Sequence, residues 1–396
     1  MDYSQERLGR EGRIADYSLD TSIRRGPLDI PFFLLVLMLL TIGVVMLLSA
    51  SYARAYYSGN TPTYYFTRQL IFAVAGIAAM LFLSRLPMGF YRRWSMWVLA
   101  AALFLLLLVP VIGTASHGSR RWLEIGGITL QPSEIAKIGV ILSFSTLICK
   151  FKSAMKTPKY GILPFAIILI VIVGLLVLEP HLSASIIILL VGAAMLFLGG
   201  VQLYWFGAAA VLGAGGILMY VKFFGYASDR ITAWRDPLAD TSDTAYQIMQ
   251  SLYSVGSGGL TGLGLGMSRQ KYLYLPEEHN DFIFSIVCEE LGYIGALVIL
   301  ILFALLIVRG YWLAMHSRDR FSFLVCAGIT TLLAIQVILN VAVVTNLIPC
   351  TGVSLPFFSS GGTALLLQLG EMGIILSMSR DIPAKKMTGP PPKKKE

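Results

Sequence analysis

Apolar residues occur in ten long runs along the chain, and short polar segments separate these runs. An α-helix of about 17 to 25 apolar residues is long enough to cross the hydrocarbon core of a membrane. The pattern therefore predicts an all-α integral membrane protein, a bundle of ten transmembrane helices. The predicted spans are residues 30–50, 68–86, 94–113, 132–149, 162–178, 182–198, 203–223, 281–308, 321–347 and 361–378.

The composition supports the same class. Of the 396 residues, 56% are hydrophobic and 13% are charged, and the mean hydropathy is +0.73. These values exclude an ordinary soluble domain. Residues 30–379 form the predicted membrane domain, between a polar tail at 1–29 and a basic tail at 380–396. The first tail lacks the apolar segment of a removable signal peptide.

The distribution of Lys and Arg predicts the orientation of the bundle. If the N-terminus is cytoplasmic, 21 of the 31 basic residues fall in the two tails and in the loops on that side, as the positive-inside rule requires. Both termini are therefore predicted to be cytoplasmic. The net charge of +9 follows from this topology, and no basic face with interleaved aromatic residues indicates nucleic-acid binding.

Three polar segments then face outward, at 114–131, 225–280 and 348–360. The second segment lies between predicted helices 7 and 8 and has about 56 residues, a length that commonly signals a function. None of the three is large enough for a soluble enzyme domain. We therefore expect the functional face at the outer membrane surface, built from loops and helix ends.

The first outward segment contains SRRWLEIGGITLQPSEIAK, in which Arg120, Arg121 and Trp122 precede a turn. A proline then suits the start of a helix whose first turns carry Glu134 and Lys137 on one face. Cationic side chains beside a helix N-terminus favour a phosphate or diphosphate. An anchor at the membrane interface, with Glu134 and Lys137 neutralising each other, fits these residues equally well.

Six glycines within eleven positions of the long outer loop permit close backbone approach or an unusual turn. They are Gly256, Gly258, Gly259, Gly262, Gly264 and Gly266. No Gly-Lys-Ser/Thr follows them, so the segment is not a phosphate-binding P-loop. Before the glycines, Gln247 and Gln250 have helical spacing and could hydrogen-bond sugar hydroxyls. An amphipathic helix on the membrane surface is the alternative for this stretch.

Asp281 is the leading candidate for the chemical centre, because it lies where the polar turn LPEEHND meets a strongly apolar helix. A carboxylate at such a depth has a raised pKa and usually faces a cavity or a partner. Glu289 lies farther round the helix and Glu290 points the opposite way, so these carboxylates make no metal cage. The outward histidines, His117, His181 and His279, lack ligand spacing.

Four segments resemble motifs of the shape, elongation, division and sporulation (SEDS) family, in the same chain order. They are SRRWLEIGGITLQPSEIAK, YQIMQSLYSVGSGGLTGLGLGMSRQK, LPEEHNDFIFSIVCEELG and TNLIPCTGVSLPFFSSGG. The resemblance extends over nearly all of residues 31–380, and SRQKYLYLPEEHNDFIF is more similar to the FtsW and SpoVE branch than to RodA.

The resemblance implies a multi-pass peptidoglycan glycosyltransferase of the bacterial cytoplasmic membrane. Such an enzyme polymerises lipid II into lipid-linked β-1,4 glycan at the outer face, in cell division or spore-septum synthesis. The partners it implies are a class B penicillin-binding transpeptidase and divisome or sporulation-septum proteins. It also suggests a divalent cation, Mg²⁺ or Mn²⁺.

Asp281 matches the essential aspartate of the family, which implies a general base. It would take a proton from an acceptor sugar hydroxyl, while positive charge stabilises the departing undecaprenyl pyrophosphate and the anomeric carbon inverts. The substrate- and pyrophosphate-binding residues expected from the motifs are Arg120, Arg121, Trp122, Glu134, Lys137, Gln247, Gln250, His279, Ser359 and Gly361.

Three positions depart from the family pattern. His181 stands where the family commonly has Asp, with Ser183 in place of Gly, and Asn346 stands where Gly is usual. A flippase for lipid-linked oligosaccharides and a non-catalytic scaffold for a transpeptidase are the rival functions. A flippase needs polar residues along the membrane-depth path, and a scaffold has no use for Asp281.

Overall fold

The computed structural model describes residues 26–116, 119–223, 225–237 and 243–381. The predicted tails at 1–29 and 380–396 lie mostly outside the described residues, as does His117. Within the described part, thirteen α-helices account for most of the chain. They are α1 Ile30–Tyr57, α2 Tyr64–Leu83, α3 Met88–Ile112, α4 Pro132–Phe151, α5 Pro158–Gly161, α6 Leu163–Leu178, α7 Leu182–Gly199, α8 Tyr204–Phe223, α9 Gly225–Arg235, α10 Asp243–Ser257, α11 Ile283–Met315, α12 Arg320–Val344 and α13 Gly362–Ser379.

Each of the ten predicted spans coincides with a helix. Among the described residues, eight helical segments are long and apolar enough to cross a membrane. These are α1, α2, α3, α5 joined to α6, α7, α11, α12 and α13. The other two predicted spans are α4 and α8. Several helices extend past the predicted limits, most clearly α1, which ends at Tyr57, and α11, which ends at Met315.

A small antiparallel sheet replaces the turn expected in the first outward segment. Its strands are β1 Thr114–Ser116, β2 Ser119–Ile125 and β3 Ile128–Leu130, in spatial order β1-β2-β3. Gly126 and Gly127 connect β2 to β3 with φ of 59° and 80°, and two positive values are what the tight turns of β-hairpins require. The fold is thus mostly helical rather than purely α.

The long outer loop is also structured, since α9 and α10 lie within it. Helix α10 buries one face, with Ala245, Ile248, Ser251 and Ser254, and it packs against α11. Helix α10 is therefore amphipathic, as the alternative for this stretch proposed, but its apolar face contacts protein where that alternative expected the membrane surface.

Helix α11 is interrupted at Gly292, where φ is 68° and ψ is −171°. The glycine-rich loop pairs with the backbone groups that the break leaves free. Leu263 N and Gly264 N donate to the carbonyls of Glu289 and Glu290 at 2.9 and 3.0 Å, and Tyr293 N donates to Gly259 O at 2.9 Å. Of the two roles that the glycine density permits, close backbone approach is the one that this loop shows.

Helix pairs pack through small residues. Helix α13 packs along α2, where Gly373 lies against the backbone of Met80 and Gly76 lies against Leu369. At the opposite end from the sheet, Gly26 N donates to Arg380 O at 2.8 Å. The two ends of the membrane domain therefore meet.

Candidate functional site

A cavity of about 480 Å³ is lined by residues of the small sheet and by the ends of several helices. Its walls come from β2 and β3, the first turns of α4, the turn between α6 and α7, helices α9 and α10, the segment before α11, α12, the loop before α13 and the start of α13. Segments remote in sequence thus build one site.

Asp281 lies on the cavity wall, two residues before α11. Asn340 Nδ2 fixes the local backbone by donating to Asp281 O at 2.8 Å and to Val353 O at 2.7 Å. Gly352 has φ of +66°, and a Cβ atom there would lie 3.1 Å from Asp281 Oδ2. Loop 350–361 therefore approaches the carboxylate closely, and among the described residues no group is hydrogen-bonded to that carboxylate.

The pKa of Asp281 is raised from 3.8 to about 6. Burial is the main cause and the charge of Glu277 adds to it, whereas Arg230 and Arg121 lower the pKa. A carboxyl group with this pKa is largely ionised at neutral pH and is a stronger base than an exposed aspartate. The environment therefore suits proton acceptance.

Three cationic side chains line the cavity: Arg121, Lys137 and Arg230. Lys137 is 2% exposed, and its Nζ lies 2.6 Å from Glu134 Oε2. Arg121 donates to Pro180 O, while Arg230 Nη1 donates to Cys350 O at 2.6 Å. These contacts hold three positively charged groups at the wall of the cavity.

The segment that carries Asp281 is anchored to α1, α2 and the loop before α13. Arg54 donates to both oxygens of Glu278 at 2.8 Å, and the Glu278 side chain is fully buried. Ser359 Oγ donates to Asn280 O at 2.8 Å, and Ser360 N donates to His279 O at 2.9 Å. The position of Asp281 is therefore fixed from two sides.

The structure brings most of the predicted site residues together. Asp281, Arg121, Trp122, Glu134, Lys137, Gln247, Ser359 and Gly361 all line the cavity. Three others lie outside it. Arg120 is exposed, and its Nη1 donates to Pro110 O at 3.3 Å. Gln250 is buried along α10, and the His279 ring packs 4.6 Å from the Tyr65 ring.

Several polar residues of the cavity were not predicted. They are Thr129, Gln131, His181, Ser183, Arg230, Glu277, Asn280, Gln336 and Gln368. Two signals in the sequence could have identified some of them. Glu277 and Asn280 belong to the same polar turn as Asp281, and Gln336 and Gln368 are amides inside apolar spans, where polar groups usually have a function.

Metal binding depends on which carboxylates share the cavity. Among the described residues, no three His, Cys, Asp or Glu side chains form a group that could hold an ion. Asp281 and Glu277 do line the same cavity and interact electrostatically. Two carboxylates fit Mg²⁺ when substrate phosphates complete its coordination.

Residues 30–383 match the family model described as cell cycle protein, which groups FtsW, RodA and SpoVE. The stage V sporulation protein E of Bacillus subtilis (strain 168) is 38% identical over 354 residues, which cover 89% of this chain and 97% of that protein. A probable peptidoglycan glycosyltransferase FtsW of Trichlorobacter lovleyi is 37% identical over 363 residues, covering 91% and 95%.

Solved structures are similar over the same region. A chain of the structure described as "Structural coordination of polymerization and crosslinking by a peptidoglycan synthase complex" matches with a TM-score of 0.75 and 26% identity, covering 89% of this chain and 98% of that one. The rod shape determining protein RodA of Thermus thermophilus matches with a TM-score of 0.67 and 26% identity, covering 90% and 97%.

Proposed function

Because the chain belongs to the family of cell cycle proteins that includes FtsW, RodA and SpoVE, we propose that the cavity around Asp281 is its active site. The chain is a peptidoglycan glycosyltransferase and a multi-pass protein of the cytoplasmic membrane. The observation that carries the assignment of the site is a carboxylate that accepts no hydrogen bond within the described structure and lines the same cavity as Arg and Lys side chains.

In the reaction we propose, lipid II supplies the acceptor, a GlcNAc 4-hydroxyl. Its oxygen attacks the anomeric carbon of a lipid-linked MurNAc as the hydroxyl proton passes to Asp281. The bond from that carbon to the diphosphate breaks, and undecaprenyl pyrophosphate leaves. Attack opposite the leaving group inverts an α-linked donor into a β-1,4 glycan. A positioned base contributes roughly 10²- to 10⁴-fold to such a step.

The leaving group needs positive charge more than it needs a proton, because a diphosphate is already a weak base. Lys137 and Arg121 are the side chains placed to stabilise it. A divalent cation, Mg²⁺ or Mn²⁺, would be held by Glu277 together with the diphosphate oxygens and would supply further positive charge to the diphosphate, while Asp281 accepts the proton. Trp122, Gln247, Ser359 and Gly361 are proposed to contact the sugars or the diphosphate.

We further propose ten membrane spans with both termini in the cytoplasm. The contact between Gly26 and Arg380 supports an even number of crossings, because it brings the two ends of the domain together. Helices α4 and α8 are the two spans proposed in addition to the eight most apolar ones. The first turns of α4 place Glu134 and Lys137 at the cavity. Helix α8 has 20 residues and is long enough to cross.

A class B penicillin-binding transpeptidase is the proposed partner, with divisome or sporulation-septum proteins around the pair. A similar solved chain belongs to a complex that coordinates polymerisation with crosslinking, and the relatives include both a division and a sporulation protein. This similarity supports coupling of glycan synthesis to a second enzyme.

Purified protein with its transpeptidase partner and lipid II tests the site. We expect Asp281→Asn to lower the rate of glycan formation, read on gels, at least 100-fold. Asp243→Asn is the matched control, because Asp243 is exposed at the start of α10 and lies outside the cavity. Polymerisation at the wild-type rate by Asp281→Asn would overturn the assignment, and lipid movement without polymer in the wild type would favour a flippase.

A further inference from the structure

We infer that the N-terminus of α7, with His181 as its N-cap residue, is a phosphate-binding subsite and that His181 determines its specificity for the lipid diphosphate. This inference rests on the proposed function and deepens it. The subsite was not expected from the sequence, where His181 was an outward histidine without ligand spacing and a departure from the family pattern.

The first observation is the position of the helix end. Helix α7 begins at Leu182, and no side chain caps its N-terminus. Ser183 and Ala184, in its first turn, line the cavity. The first amides of a helix lack partners within the helix and carry partial positive charge, so they favour a bound anion.

The second observation is an unpartnered polar atom in a buried side chain. His181 is 7% exposed and lines the same cavity. Its Nε2 lies 3.3 Å from Gln131 Nε2, and its Nδ1 has no hydrogen-bond partner among the described residues. Buried polar atoms are nearly always hydrogen-bonded, so the ring is short of one partner that a ligand can supply.

The third observation is the charge around the ring. Burial is the main cause that lowers the pKa of His181 to about 3, and the positive charges of Arg121 and Lys137 lower it further. The imidazole is therefore neutral before a ligand binds, and it can donate one N–H. An anion placed between these groups would be shared by two cations, the helix amides and the ring.

The acidic groups nearby do not cancel this preference. Burial raises the pKa of Glu179 to about 8, so this carboxyl is mostly protonated at neutral pH. Glu134 is paired with Lys137 at 2.6 Å. Phosphate is favoured over a carboxylate ligand because its additional oxygens can accept from all of these donors at once.

Binding of inorganic pyrophosphate to the purified full chain, followed by ³¹P NMR titration, tests the subsite without catalysis. We expect His181→Asp, which introduces a negative charge, and His181→Phe, which removes the donor, to raise the Kd at least tenfold. We expect His181→Gln, which keeps a neutral donor, to stay within threefold. His316→Asp is the matched control, because His316 is exposed at the far end of α11.

The titration is repeated with Asp281→Asn protein, so that failure of the subsite and failure of the proposed base are separate results. Unchanged pyrophosphate affinity in both His181→Asp and His181→Phe would overturn the inference, and so would the absence of pyrophosphate binding by the wild type. If His181→Asp does not fold, His181→Phe decides. Acetate as the probe distinguishes a phosphate site from a general anion site, and equal affinity for acetate would also overturn it.

A steady-state readout separates substrate binding from folding. We expect His181→Asp to raise the KM for lipid II more than it lowers kcat, with product inhibition by undecaprenyl pyrophosphate relieved by about the same factor. A loss confined to kcat, with KM and product inhibition unchanged, would contradict a binding role for His181.

Discussion

Burial is the main cause of the basicity of Asp281, and charged neighbours, some of them from distant parts of the chain, adjust it. Glu277 raises its pKa, and Arg230 of α9 and Arg121 of β2 lower it, while burial sets the largest part of the shift. If Asp281 is the general base, only its ionised form is active. The pH dependence of the reaction should therefore report on these neighbours.

We expect kcat/KM to rise about tenfold per pH unit below pH 6 and to level off above it, because the pKa of Asp281 is about 6. Removing the Glu277 charge with Glu277→Gln should move the midpoint to lower pH. Removing a cation with Arg230→Gln should move it to higher pH. Initial rates across pH 5 to 8 measure the midpoint, and a midpoint unmoved by both changes would contradict this assignment of the base.

The ion pair between Arg54 and Glu278 gives a prediction about stability. Glu278 is fully buried, so Arg54→Ala would leave a carboxyl with no cation at bonding distance and should cost about 3 kcal/mol. Glu278→Gln should cost less, since a neutral amide needs no cation. Thermal unfolding in detergent is the measurement, with Arg120→Ala as a surface control. Equal melting temperatures for Arg54→Ala and the control would show that the pair contributes nothing.

Sequence alone identified Asp281, Lys137 and Arg121, because charges at the ends of apolar runs stand out. It did not identify His181 or Arg230 as cavity residues, since neither differs in its local pattern from an interfacial side chain. Asn346, at a position where the family usually has Gly, is explained only by the structure. Its φ is 55°, and Asn is one of the few residues that tolerate this region.

The glycine-rich loop and the break in α11 form one structural unit. The loop supplies backbone partners for the residues on either side of Gly292. The buried carboxylates of Glu289 and Glu290 accept hydrogen bonds from the amides of residues 266, 268, 269 and 270. Lys271 Nζ completes the unit, 3.1 Å from Glu290 Oε1. The outer part of α11, which follows Asp281, is thereby held to the long outer loop.

The structure of this unit predicts opposite outcomes for alanine substitutions at two glycines of the glycine-rich segment. Gly262 has φ of +81°, and a Cβ there would lie 2.2 Å from Glu290 O, so Gly262→Ala should destabilise the protein by several kcal/mol and abolish activity. Gly256 lies in α10 with no atom within 4 Å of a new Cβ. Gly256→Ala should be neutral or stabilise by about 0.5–1 kcal/mol.

Melting temperature and yield of folded protein from parallel purifications compare the two variants. Similar values for both would mean that the loop does not contact the break as described. Glycine density in the sequence permits close backbone approach or an unusual turn, but it does not show which helix the loop contacts, because that depends on long-range pairing. The sheet was within reach of prediction, since Gly126 and Gly127 between two isoleucines are a typical hairpin signal.

The hydrophobic pattern fixed the helices well because each apolar run must be a helix in a membrane. It could not define the cavity, because the walls come from segments of chain as far apart as Thr114 and Gln368. Orientation is the property of the assembled bundle on which the mechanism depends most, since lipid II polymerisation is expected outside the cell.

Single cysteines test the orientation in a variant whose four native cysteines, Cys149, Cys288, Cys326 and Cys350, are replaced. Met267 and His316 are both exposed, on opposite sides of the α11 span. We expect Met267→Cys to react with a membrane-impermeant maleimide in intact spheroplasts and His316→Cys to react only after permeabilisation. The reverse pattern would place Asp281 in the cytoplasm and remove the mechanism.

The hydrogen bond from Gly26 to Arg380 joins the first and last helices at one point of the surface. Both tails therefore start from a single origin, and a fluorescent label fused to either would report the same location in a cell. A short peptide bridging Gly26 and Arg380 could also close the chain into a ring, with new ends cut at the exposed Gly59 turn between α1 and α2.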